Sequence, residues 1–384
     1  MPGYLYNPDH GRWGGVDFLA HSGDAWKETA QAKAYAGVHW GGMGHPYLGE
    51  GTVWQRDASK MPVASNSAAM AKWVSDNCAD FTGTRASLNT YSYGTRPIPV
   101  YVVDSTVPGC RFVKITAGGA STTAAKVVSG MVPWPVFAKP ASQGDKSIAI
   151  YDTGTGIMRE WFFVTPVTTG EDGVVTEWKS TTGAYSVNRP GLRTLGADNY
   201  TTQTREGTSA AVGMHNPLGF INNADMRRGV INHAIAFTCK DMHAGPSWPA
   251  RAADGLSTHP DAPREGQWCR LPASFNPNTY VNPFTGKRLN QFERMVCDAF
   301  KRHGGTATDK NLAVFAFNAE NATTEVYFTG QDPWAEGGEF ANRYGALSLS
   351  SFPWEALEWA PVDWGRPSPD FQTRPGWTDP WVSA

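Results

Sequence analysis

Residues 148–163 read IAIYDTGTGIMREWFF. Two runs of β-branched and aromatic side chains flank Asp152-Thr-Gly-Thr-Gly156, whose aspartate and glycines supply the positive backbone angles of a tight turn. The pattern predicts a β-hairpin. Outward from it, Val100–Val103, residues 112–115 and residues 126–128 read as further short strands bounded by Gly, Pro and Asp. Residues 165–230 read mostly as connections, with Asn222 capping a short helix through Arg228 that Gly229 ends. The run 230–239 (VINHAIAFTC) predicts a strand buried on both faces. Residues 271–275, 313–318 and 324–329 complete the expected strands.

Two helices stand out. Over 291–303, Phe292, Met295, Val296, Ala299 and Phe300 make one apolar stripe. Asn290 with Glu293 has the spacing of a capping box, Lys301, Arg302 and His303 sit at the negative end of the dipole, and Gly304-Gly305 stops the helix. Over 67–77, Ala68, Ala71, Trp73 and Val74 lean to one side. The expected fold class is therefore α+β, mostly β. It has a twisted antiparallel, sandwich-like core over residues 97–330, one long amphipathic helix and extended terminal segments. Residues 1–96 form a Gly/aromatic-rich assembly region, with Tyr4, Trp13, Trp40 and Trp54 between turns. Residues 331–384 form a Trp/Pro-rich arm, in which Trp334, Trp354, Trp359, Trp364, Trp377 and Trp381 are expected to anchor in a neighbouring subunit.

Composition agrees with many short strands. Of 384 residues only 18% are charged, 12% are aromatic, and Gly 41, Pro 27 and Trp 16 are all high. The formal net charge is −2 and no basic run exists, which argues against nucleic acid as a partner. No apolar stretch is long enough to span a membrane, and the start at Met1 lacks the pattern of a signal peptide. Five cysteines without C-x-x-C spacing read as reduced thiols, which fits a protein made in the cytoplasm.

Candidate chemistry is sparse. Asp152-Thr153-Gly154 matches the short signature of an aspartic protease, but no second such motif supplies the partner carboxylate, and a hairpin turn explains it. Gly207-Thr-Ser209-Ala-Ala211 lacks the final glycine of a nucleophile elbow. His39 and His45 have no third ligand at suitable spacing, so no metal and no cofactor are expected. His233 interrupts an apolar strand, and pairing with Glu160 would make an acid–base couple. Asp152, Glu160 and His233 are thus the candidate ligand site, with no catalytic residues assigned.

The hairpin over 145–160, Gly207-Thr-Ser-Ala-Ala211, Ile231-Asn-His-Ala-Ile-Ala-Phe237 and the helix Arg294 to Gly304 with Asp309 after it together carry a resemblance. Residues 97–329 resemble a module found in secreted actinobacterial proteins and in minor tail proteins of actinobacterial phages. In the secreted relatives a histidine follows the aspartate matching Asp145, whereas this chain has Lys146. His233 and Glu160 match. The loss of one histidine implies a module kept for its shape. The resemblance implies a structural tail-tip component that is not an enzyme and resides in the virion after assembly in the host cytoplasm. Its partners would be other tail proteins and a second and third copy of itself, the trimer being favoured. The alternative is a protein that binds or cleaves a glycan of the host cell envelope.

Overall fold

The computed structural model describes residues 19–22, 25–28, 53–89, 98–187 (apart from 120, 121, 136, 143 and 172), 210–311 and 315–366. In chain order the strands are β1 (Leu19–Ser22), β2 (Ala25–Glu28), β3 (Ser87–Asn89), β4 (Val100–Val103), β5 (Phe112–Ala117), β6 (Gly130–Pro133), β7 (Ile148–Asp152) and β8 (Ile157–Phe162). They continue as β9 (Thr165–Thr169), β10 (Val175–Ser180), β11 (Thr182–Val187), β12 (Ile235–Cys239), β13 (Trp268–Arg270), β14 (Gly305–Lys310), β15 (Ala316–Asn318) and β16 (Glu358–Trp359). The helices are α1 (Ser67–Asn77), α2 (Thr122–Val128), α3 (Asn223–Arg228), α4 (Gln291–Arg302), α5 (Thr323–Thr329) and α6 (Glu339–Tyr344). The protein is α+β with strand prevailing.

The hairpin forms as its sequence predicts: β7 and β8 pair antiparallel from Ile148 opposite Trp161 to Asp152 opposite Ile157. They sit inside the four-stranded sheet β11-β8-β7-β4. Strand alternation sends Ile148, Ile150, Ile157 and Trp161 to one face and Ala149, Tyr151 and Met158 to the other. The first face packs on the sheet β6-β5-β10-β9 through Val113, Ile115, Val132 and Trp178. The second shares a core with Ala236 of β12 and Trp268 of β13, both in the six-stranded sheet β16-β13-β14-β12-β15-β3. On the far side of that sheet, Ile235, Phe237 and Phe317 meet Phe292, Val296 and Phe300 of α4. Three sheets and a helical layer thus stack with β7 in the middle, which is why every residue of β7 is buried. The sheets are mixed rather than wholly antiparallel, since β4 with β7, β5 with β10, β12 with β14 and β15 with β3 pair parallel.

Local signals were accurate where they were strong. Both α3 and α4 carry the full capping box, Asn222 with Asp225 and Asn290 with Glu293, and Gly229 ends α3 in the left-handed conformation. Several expectations are corrected. Residues 122–128 are a helix, not a strand; the carbonyls of Val127 and Val128 at its end accept from Arg159 Nε and Trp161 Nε1. Residues 323–329 are also a helix. The Asn321 side chain accepts from the backbone N–H of Thr323 at its start, and Gly330 closes its end with φ +70°. Three strands, β9 to β11, occupy a span expected to be connections. The strand expected at 271–275 is β13 instead, just before Pro272.

The C-terminal arm is corrected too. Trp334, Trp354 and Trp359 are buried in this chain's own core. Trp354 stacks on Phe317 at 5.2 Å, lies against Phe237, Phe315 and Phe352, and donates its indole N–H to the Arg85 carbonyl. Trp334 donates to Asn223 Oδ1, and β16 extends the six-stranded sheet beside β13. Trp364 covers the Arg56 guanidinium at 3.8 Å, while Trp268 faces the same cation at 4.0 Å. Trp334, Trp354 and Trp359 are too enclosed to reach a neighbour, whereas Trp364 is half-buried. Trp377 and Trp381 lie outside the described residues. Among the described residues no helix is long and apolar enough to cross a membrane.

Candidate functional site

The three residues singled out from sequence do not meet. Asp152 and Glu160 leave the hairpin on opposite faces, because Asp152 shares its face with Ile150 and Glu160 shares its own with Met158 and the cross-strand Ala149. Asp152 is a turn organiser. Its carboxylate accepts from the backbone N–H groups of Ser105 and Gly154 and from the hydroxyls of Ser105 and Thr155. Arg159 stands 3.9 Å away. Burial pushes the Arg159 guanidinium down to about 10, and Asp152 opposes that fall. The protease-like D-T-G is therefore a satisfied hairpin turn.

Glu160 does pair with a histidine, but with His215 and not His233. Its Oε2 lies 2.8 Å from His215 Nδ1, and both side chains are wholly enclosed between the central sheet and the layer below. His215 comes from the short 3₁₀ turn Asn216–Gly219, where its carbonyl accepts from Leu218 N–H. His233 instead binds Asp225 through Nε2 at 2.9 Å and its neighbour's Ala234 carbonyl through Nδ1 at 2.8 Å. Burial alone would lower the His233 pKa, but the Asp225 carboxylate outweighs it and the group is raised. Asp225 also accepts from Asn222 N–H and Arg228, so it fastens the start of α3 to the approach to β12. Each pair joins elements, and neither lines the cleft described below. His39, His45 and residues 207–209 lie outside the described residues.

Sequence reading missed a different constellation. Asp254, Glu265 and Asp309 each offer a carboxylate oxygen, and these three atoms lie within 4.8 Å of one another. Asp254 is in the loop after the Trp248-Pro249 turn, Glu265 just precedes β13, and Asp309 is on β14 beside the register shift against β12. Two glycines make the convergence possible. Gly255 lies against the Met242 and His243 carbonyls, where a Cβ would come within 2.5 Å of an oxygen. Gly266 has φ +83° and would bring a Cβ 2.0 Å from the Ser247 carbonyl. The Gly266 N–H donates to the Ala307 carbonyl, and the Asp254 N–H donates to Glu265 Oε2. The Glu265 side chain is fully buried, yet its Oε1 has no hydrogen-bond partner.

Crowding shows in the protonation of the cluster. Burial, followed by the Asp254 side chain, pushes the Glu265 carboxyl up to about 8. Burial, then Asp254, pushes Asp309 up to about 7, with Asp145 adding to the rise and the Lys310 ammonium opposing it. Adjacent to this cluster in sequence lie residues of an open cavity of about 390 Å³, lined by Trp73, Lys240, Asp241, Leu256, Ser257, Lys310 and Asn311. Lys310 Nζ donates to the Asp254 carbonyl and so ties the cleft wall to the carboxylate loop. Trp73 is held in the cleft by stacking on His259 at 4.0 Å. No C-x-x-C or His pair announces this site; its residues are 11 and 44 positions apart and only the tertiary fold joins them.

No family model, curated protein or solved structure matches this chain.

Proposed function

We propose that this chain is a structural, non-catalytic component of a phage tail tip, assembled into the virion in the host cytoplasm. In that role it contacts other tail proteins, preferably as a trimer, and the host cell envelope. The observation that supports the non-catalytic part is the sealed Glu160–His215 pair: the one histidine that Glu160 meets among the described residues is buried with it, away from solvent. The assignment to a tail tip rests on the resemblance carried by the hairpin, residues 231–237 and the helix after Asn290. Fold-level likeness does not by itself fix a role, so the test must be made on particles. Mass spectrometry of purified particles should find the chain at a few copies, cross-linked to other tail proteins. A stable monomer absent from particles would refute the proposal.

A second reading, contact with an envelope glycan, is favoured by one feature. The Trp73 cleft places an indole beside two ammonium groups, a carboxylate, a hydroxyl and an amide, a combination suited to a sugar's apolar face and hydroxyls. Host cell-wall polysaccharide should bind the isolated chain, and Trp73→Ala should weaken that binding at least tenfold. Equal binding by the variant would remove the cleft from consideration, and release of reducing sugar by the wild type would make the chain a glycan-cleaving enzyme.

A further inference from the structure

We propose that Asp254, Glu265 and Asp309 form a binding site for a divalent, oxygen-preferring cation of the size of Ca²⁺. The proposal is independent of the tail-tip reading. Two ligands on one Ca²⁺ ion at 2.3–2.6 Å can be at most about 4.6–5.2 Å apart, and the three carboxylate oxygens fall within 4.8 Å of one another. The trio therefore reaches around such an ion without rebuilding the loops. Mg²⁺, which demands near-ideal octahedral geometry at about 2.0–2.1 Å and dehydrates reluctantly, suits three converging protein carboxylates less well.

A second observation points to a ligand independently of the clustering. Glu265 is fully buried, its Oε2 is occupied by the Asp254 N–H, and its Oε1 receives no N–H or hydroxyl donor. A buried carboxylate oxygen without a donor is costly, and a cation bound by its neighbours is the partner that would satisfy it. Gly255 and Gly266, each next to a cluster residue, pack against backbone carbonyls with no room for a side chain. Lys310, whose charge opposes the rise in Asp309, gives its ammonium to the Asp254 carbonyl. Asp145, which adds to the rise in Asp309, supplies further negative potential. Asp254 is exposed, which leaves an entry path and room for water to complete the coordination shell.

Occupation of the site would brace β14 against the loop that lines the Trp73 cleft, since Leu256 and Ser257 follow Asp254 and Lys310 follows Asp309. The test is calorimetric titration of the full chain, stripped with chelator, with CaCl₂ and separately with MgCl₂ near pH 8. One Ca²⁺ site is expected, with a dissociation constant on the order of 10⁻⁴ M and weaker Mg²⁺ binding. The melting temperature should rise with Ca²⁺ concentration. Glu265→Gln and Asp309→Asn should each lower Ca²⁺ affinity at least tenfold, and Asp76→Asn, on the far end of α1, should leave it unchanged. If the wild-type chain shows neither heat nor a melting shift up to about 10 mM Ca²⁺ beyond an NaCl control, the proposal fails, whatever the variants do. It fails equally if folded Glu265→Gln binds as the wild type does.

Discussion

At the scale of residues, ionisable groups in this protein are used mainly to lock one element to another. Glu160 and His215 illustrate the cost of that use. Removing one partner leaves the other buried without it, so Glu160→Ala should destabilise the chain by about 3–5 kcal/mol, measured by urea unfolding. A loss under about 1 kcal/mol would mean that water reaches the pair. Glu265 and Asp309 act in the opposite sense. Their pKa values, raised to about 8 and about 7, mean that the folded cation-free chain holds protons that the unfolded chain has released. Their contribution is fully present below the ordinary carboxylate range and is lost as pH rises through those values. The melting temperature of the cation-free protein should therefore fall between about pH 5 and pH 8, and Glu265→Gln should flatten that fall. A profile unaltered by Glu265→Gln would place the titration elsewhere, His233, Asp145, Glu293 and Asp298 being other groups whose raised pKa values give the same sign.

The elements differ in how well neighbouring residues specify them. Gly266 shows how a single backbone position governs two of them. Gly266→Ala would push into the Ser247 carbonyl at positive φ and displace both the Glu265 turn and the entry to β13, at a cost of about 2–4 kcal/mol. Chemical denaturation measures this directly, and a neutral result would show that the turn relaxes. The hairpin around Asp152 and the helices α1, α3 and α4 were readable from sequence because each carries its own signal: a turn motif, a cap or an apolar stripe. Residues 323–329 carry Thr, Val, Tyr and Phe and so look like a strand, yet Asn321 and Gly330 close them into a helix. Strand β10 was missed because its two apolar residues, Val175 and Trp178, fall on opposite faces and leave no period-2 apolar stripe, and its pairing with β5 is parallel and distant in sequence. The carboxylate cluster was illegible for the same reason, since loops far apart in the chain meet only after β12, β13 and β14 have paired.

For the whole molecule, the principal revision concerns Trp334, Trp354 and Trp359. An arm reserved for a neighbour would leave the chain's core complete without it. Instead Trp354 lies among Phe237, Phe315, Phe317 and Phe352, and β16 closes the edge of the six-stranded sheet. Trp354→Ala should cost about 3–5 kcal/mol, and a chain ending at residue 330 should not fold cooperatively by circular dichroism and calorimetry. A truncated chain that melted as sharply as the full one would restore the arm to an external role. The central proposal is that the chain takes a structural place in a larger assembly. It is tested most directly by quantitative mass spectrometry, with cross-linking, on purified particles of the phage proposed to carry the chain. A few copies per particle, in multiples of three and cross-linked to tail proteins, is the predicted result; absence from particles, with the purified chain remaining a monomer, would contradict it.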